Sequence, residues 1–179
     1  TAGESAANAI FALRNGDGSP TPHLPYTLPP GPGVYEPTPV TPPSPPNPPA
    51  PVAPQFAGWA KVTPFVLRSG SQFRAEPSLI FDLKSWAYTR DYNEVKRVGD
   101  VNSEAEGHRT ADQSQIARFW PGGGANINAV ARVIITGRNH DLWQNARLFA
   151  LINMAVHDSA VAVFDTKYTY NFWRPVTAI

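Results

Sequence analysis

The stretch LFALINMAVHDSAVAVFDTKYTYNFWRPVTAI, Leu148 to Ile179, decides how the rest of this chain is read. Phe149, Asn153, Val156, Ala160, Val163, Lys167 and Tyr170 follow at alternating steps of four and three, so on a helix they form one stripe. The other side, with Leu151, Ala155, Ala162 and Asp165, is also poor in charge. A helix apolar nearly all round is expected to be a buried central helix. Lys167 ends the stripe, where an ammonium without a counter-charge is costly, so it calls for an anion. Arg174 continues the spacing two turns later, about 10 Å further along if the helix persists. Pro175 biases Arg174 away from the α region, so the helix is expected to end just before it. A lysine on the last turns and an arginine on the departing chain are both expected to face one cavity. A guanidinium fork beside a compact ammonium suits a tetrahedral or trigonal oxyanion.

Upstream of this stretch the pattern is helical wherever it is regular. ESAANAIFALRNGDG reads as a short helix with Ser5 as N-cap and Gly16 and Gly18 as its stop. A second helix is expected from Ile80 to Val98, ended by Gly99. TADQ, Thr110 to Gln113, has the form of a capping box and should start a helix running to Trp120. PGGGAN then reads as a loop, since it lacks the spacing and the lysine of a phosphate-binding loop. Two more helices are expected, from Asn126 to Thr136 and from Asp141 to Tyr170, with His140 and Asp141 at the start of the latter. Sixteen of the twenty prolines lie between Pro20 and Pro54, too dense for helix or sheet. The fold class is therefore all-α with a long proline-rich extended connection. Its parts are residues 1–19, an N-terminal helix; 20–58, a proline-rich strap; and 59–179, the helical body.

Composition narrows the function. Hydrophobic residues make up 42% of the 179, enough for a packed core. Fifteen basic and fourteen acidic residues nearly cancel, which argues against nucleic acid or an anionic membrane as partner. No cysteine is present, so disulfides, thiolate metal sites and cysteine nucleophiles are excluded. Leu148 to Phe164 is apolar but interrupted by Asn, His and Asp, and is shorter than the roughly 20 residues of a membrane span. No span is therefore expected. His157 and Asp158, one turn after Asn153, have no metal-binding spacing and read more simply as satisfied polar groups in a core.

DTKYTYNFWRPVTAI, preceded by ARLFALINMAVHDSAVAVF, resembles the first signature of the vanadium-dependent haloperoxidases. That family shares its helical-bundle fold and anion site with type 2 phosphatidic acid phosphatases and bacterial acid phosphatases. PGVYEPTP, WAKVTPFVLRSGSQFR, DYNEVKRVG and TADQSQIARFW extend the resemblance to the bacterial haloperoxidase-like branch. The resemblance implies that Lys167 and Arg174 are catalytic and bind the oxygens of vanadate, a site that phosphate or sulfate could also occupy. It implies that Phe164 and Trp173 could shape the pocket, although core packing is the simpler role for each. Asp158 or Asp165 would orient a cation from behind. No residue of this chain is expected to ligate a metal directly.

The same resemblance requires two further motifs, P-S-G-H and S-R-x3-G-x-H, which supply the acid-base histidine, a third cation and the histidine that binds vanadium or accepts a phosphoryl group. Neither occurs here. The chain is thus expected to need a C-terminal segment or a second chain that carries them. Without it the long helix should stand exposed. The implied activity is peroxide-dependent halide oxidation, with phosphate-ester hydrolysis as the alternative of the same fold. From another class, a non-catalytic helical protein could bind partners through its prolines. A homo-oligomer and a secreted or periplasmic bacterial setting are compatible with all of this.

Overall fold

A computed structural model describes residues 1–20, 28–37, 54–77 and 82–179. Among them are six α-helices: α1 Ala2–Arg14, α2 Trp86–Gly99, α3 Ala111–Phe119, α4 Gly123–Ile135, α5 Leu142–Tyr170 and α6 Pro175–Ala178. The described residues contain no strand beyond an isolated antiparallel bridge between Val34 and Phe172, so the fold is all-helical. Two compact units divide the chain. The first comprises residues 1–28, 37–74 and 158–170, the second 29–36, 75–157 and 171–179.

Local hydrogen bonding explains the helix boundaries, including those that sequence pattern misplaces. Thr1, not Ser5, caps α1: its hydroxyl accepts from the Glu4 amide and Glu4 returns to the N-terminal ammonium at 2.6 Å. A threonine followed three residues later by glutamate is a complete capping box, so the helix starts a turn earlier than Ser5 would allow. α2 likewise begins at Trp86, because Asp82 accepts from the Lys84 amide in a tight turn and Ser85 then caps Tyr88. The beginning of the helix expected from Ile80 lies outside the described residues. Thr110 and Gln113 form the expected reciprocal box at 2.9 and 3.1 Å. Asp141 and Gln144 do the same for α5 at 2.8 and 2.9 Å.

PGGGAN is not a loop. Trp120–Gly122 is a turn of 3-10 helix and α4 starts directly at Gly123, whose φ of 50° few other residues adopt. Asn126 donates from its amide to the Phe119 carbonyl across this junction, and a Cβ at Gly122 would collide with that side chain. A side chain at 122 would displace the Asn126 amide from this junction, where α3 and α4 meet without a linker. Of the strap, residues 28–37 and 54–58 are non-helical, as the proline density requires; residues 21–27 and 38–53 lie outside the described residues.

In the first unit, Arg14 and Asp17 tie the end of α1 to residues 63–65. Arg14 Nε donates to Asp17 at 3.0 Å, its Nη atoms reach the carbonyls of Thr63 and Pro64, and its guanidinium lies 4.2 Å from the Phe65 ring. The Thr63 amide donates back to the Asp17 carbonyl at 2.8 Å. Hydrogen bonds from Ser19, with Arg14 adding its charge, hold the Asp17 carboxyl below the usual range. A depressed folded pKa stabilises above the unfolded value of about 4 and loses that contribution as pH falls through the folded value. Asp17→Asn should therefore lower the melting temperature at pH 6, and the gap to the wild type should close towards pH 2.5. A gap independent of pH would show that the carboxylate charge contributes nothing.

Residues 58–74 dock on one side of α5. Asp158, only 5% exposed, accepts from three successive amides, Phe65, Val66 and Leu67, at 2.6, 2.7 and 3.0 Å. One turn later Val161 is fully buried, and Asp165 then receives a two-pronged bond from Arg74 at 2.7 and 2.8 Å. Pairing with Asp165 raises the Arg74 pKa further above its ordinary value. Between them Gly70 lies so close that a Cβ there would be 3.0 Å from Asp165 Cβ and 3.2 Å from Val161 Cγ1.

The expectation of a buried central helix is corrected. Asp158 and Val161 are its buried residues, while Leu142, Trp143 and Val163 are 80, 74 and 61% exposed. At about 100° per residue, Lys167 and Val163 lie roughly opposite Asp158. The side that meets residues 58–74 is therefore the one marked by two aspartates, while earlier in the helix Phe149, Asn153 and Val156 of the stripe meet Arg132, Asn128 and Gly124 of α4. By length and composition α5 could cross a bilayer, a test that core helices of soluble proteins also pass. Its Asp158 is instead saturated by backbone amides.

Candidate oxyanion site

Lys167 sits on the last turn of α5, in the first unit. Its Nζ lies 5.5 Å from the Phe164 ring centroid and 5.1 Å from that of Tyr168, within cation–π range of both. Those rings are themselves fixed. They stack on each other at 6.2 Å, Phe164 packs on Phe56 at 5.3 Å, and the Tyr168 hydroxyl donates to the Gln55 carbonyl. Phe56 adopts a φ of 57°, a left-handed conformation that turns the chain beneath α5. The ammonium is thus half-buried among aromatics. Asp158 and Asp165, the two carboxylates weighed as supports for a cation, are on the far side of the helix and engaged by residues 65–67 and by Arg74.

Arg174 belongs to the second unit, four residues beyond the end of α5. Its backbone is extended (φ −97°, ψ 158°) and Pro175 opens α6, as proline at a first helical position should. The segment 171–174 pairs with 33–36. Tyr35 donates its amide to the Asn171 carbonyl at 2.6 Å, and Trp173 donates to Gly33 at 3.1 Å. Arg174 Nη2 donates to the Glu36 carbonyl at 3.2 Å, and its guanidinium carbon lies 5.2 Å from the Tyr35 ring centroid. Trp173 packs edge-on against Phe172 at 6.4 Å. Its indole Nε1 is buried with no acceptor among the described residues. Beside α6, a cavity of about 780 Å³ is walled by Val95, Pro175, Val176 and Ile179 and edged by Lys96 and His108.

Among the described residues no cluster of His, Asp and Glu is placed to hold a metal ion. The donors that are present, an ammonium, a guanidinium and an unsatisfied indole N–H, carry no acceptor and fit an anion rather than a bare cation. Taken unit by unit, Lys167 in the first and Arg174 with Trp173 in the second, that chemistry suits an oxyanion such as vanadate. Sequence reasoning singled out Lys167, Arg174, Trp173 and Phe164 but missed Tyr35 and the pairing of 33–36 with 171–174. The resemblance of PGVYEPTP was the one signal pointing there.

The described residues form an all-helical body whose longest helix carries Lys167 on its last turn and is followed by the extended Arg174 and by Pro175. Residues 147–179 match the family described as the VCPO second helical-bundle domain. The whole chain superposes on the crystal structure of the first bacterial vanadium-dependent iodoperoxidase with a TM-score of 0.70 and 26% identity. That match covers 96% of this chain and 42% of the other. No match is found among curated proteins. These two matches support a place in the vanadium haloperoxidase superfamily, a family of enzymes, and the chain spans less than half the length of the structural relative it matches.

Proposed function

We propose that this chain supplies the lysine and arginine of the oxyanion site in a vanadium-dependent haloperoxidase-like enzyme that oxidises halide with peroxide. The observation that supports this reading best is the family match over residues 147–179, which contains both Lys167 and Arg174 at the end of α5. Vanadate, when bound, supplies Lewis-acid activation of peroxide without changing its own redox state. Arg174 would hold anion oxygens with its planar fork, neutralising their charge. Lys167, restrained by the Phe164 and Tyr168 rings, would donate from its ammonium to an oxygen that gains charge during oxygen transfer. Trp173 would donate its indole N–H at the same site, and Phe164 would limit water access. The P-S-G-H and S-R-x3-G-x-H motifs, absent from these 179 residues, would bring the acid-base histidine, the third cation and the vanadium-binding histidine. A secreted or periplasmic location belongs to the same proposal, since a chain without cysteine suits oxidising surroundings.

A phosphomonoesterase of the same fold would use the same two cations on a transferring phosphoryl group. Likeness to an iodoperoxidase favours the peroxidase. The test is iodide and bromide oxidation by the full-length protein with peroxide and orthovanadate, beside phosphate release from an aryl phosphate. Vanadate-dependent halide oxidation is expected, with residues 1–179 alone showing none, because groups that act as a unit do not contribute proportionately when separated. Phosphate release without halide oxidation would overturn the proposal.

A further inference from the structure

We infer that Tyr35 is a positioning residue for Arg174, holding the guanidinium so that its donor edge is presented to a bound oxyanion. The inference rests on the reading of Arg174 as an anion-binding residue. A long arginine side chain on an extended segment has many rotamers, and bidentate recognition is useful only if one of them is populated before the anion arrives. Residues 33–36 supply that selection. Two backbone bonds, Tyr35 to Asn171 and Trp173 to Gly33, register the segments, and the Val34–Phe172 bridge lies between them. Gly33 adopts a φ of 81°, and a Cβ there would lie 3.4 Å from Leu83 Cδ1, so the turn that delivers Tyr35 is specific to glycine.

The Tyr35 side chain then does what the backbone cannot. It is 3% exposed, among the most buried residues of its unit, and its ring lies within cation–π range of the guanidinium. With the guanidinium carbon 5.2 Å from the ring centroid, the ring restricts where the guanidinium can lie, and a five-donor fork keeps N–H groups for an oxygen ligand beside that contact. Glu36 takes one of these donors with its carbonyl, fixing rotation about the remaining bonds.

Titration of the full-length protein with orthovanadate, and separately with inorganic phosphate, tests this. Tyr35→Phe should bind within about threefold of wild type, since it keeps the ring face. Pentafluorophenylalanine at position 35 keeps the shape but weakens the negative ring face, and should bind about three- to tenfold more weakly than Tyr35→Phe. Tyr35→Leu should lose at least as much, and the double variant Tyr35→Leu/Arg174→Ala should lose no more than Arg174→Ala alone. Equal binding by the fluorinated and Phe variants, with Arg174→Ala impaired, would overturn the role of Tyr35 and leave that of Arg174 intact. Losses from Tyr35→Leu that persist undiminished without Arg174 would show a structural residue and overturn the inference equally. Unimpaired binding by Arg174→Ala would overturn the functional reading itself. If Tyr35→Leu does not fold, the fluorinated ring decides alone.

Discussion

Arg174→Ala in the full-length protein is expected to lower the rate of vanadate-dependent halide oxidation by about 10²–10³-fold, as removal of one preorganised donor from a charge-stabilising site does. The extended Arg174 backbone, the Glu36 carbonyl and the Tyr35 ring together hold the guanidinium in one region, so its loss is not compensated by a neighbour reorienting. Arg174→Lys should recover only part of the rate, because an ammonium carries charge without the planar fork. Lys167→Ala should depress the rate comparably. Steady-state assays at saturating vanadate separate lost cofactor binding from lost turnover: a defect that vanishes there is one of affinity alone. Arg174→Ala with wild-type turnover and wild-type vanadate affinity would remove this residue from the site.

Asp158→Ala is expected to destabilise the fold by about 3–5 kcal/mol, a few kcal/mol for each amide left without its acceptor, partly offset by water. Three successive amides, Phe65 to Leu67, converge on this carboxylate. Segments of irregular backbone have no ladder of their own, so the side chain of a helix residue substitutes for one. Asp158→Asn keeps one acceptor oxygen but turns an NH₂ towards donors, and should recover less than half of the loss. Urea unfolding measures the magnitude. Hydrogen exchange at residues 65–67 locates it, and wild-type protection of those amides in Asp158→Ala would contradict the assignment.

Sequence pattern misjudged the burial of α5 as a whole, but not Asp158. Hydropathy assigned burial to nearly the whole circumference of the helix, yet Leu142, Trp143 and Val163 stand exposed and the side that residues 58–74 cover carries Asp158, Val161 and Asp165. Backbone amides satisfy Asp158, as its reading as a satisfied polar group of a core requires, and Arg74 satisfies Asp165; which partners do so carries no periodic signal.

The sequence by itself determined what depends on neighbours three or four residues apart. The box of Thr110 and Gln113, the Asp141 start of α5, the exit of Arg174 before Pro175 and the succession of helices were all legible there, because capping bonds and proline sterics act within one turn. Tertiary structure alone decided what holds the candidate residues. Asp158 meets Phe65 across 93 positions and Arg174 meets Glu36 across 138. Bonds that long in sequence form only after both segments are brought together, and no local spacing encodes which amide or ring will be waiting.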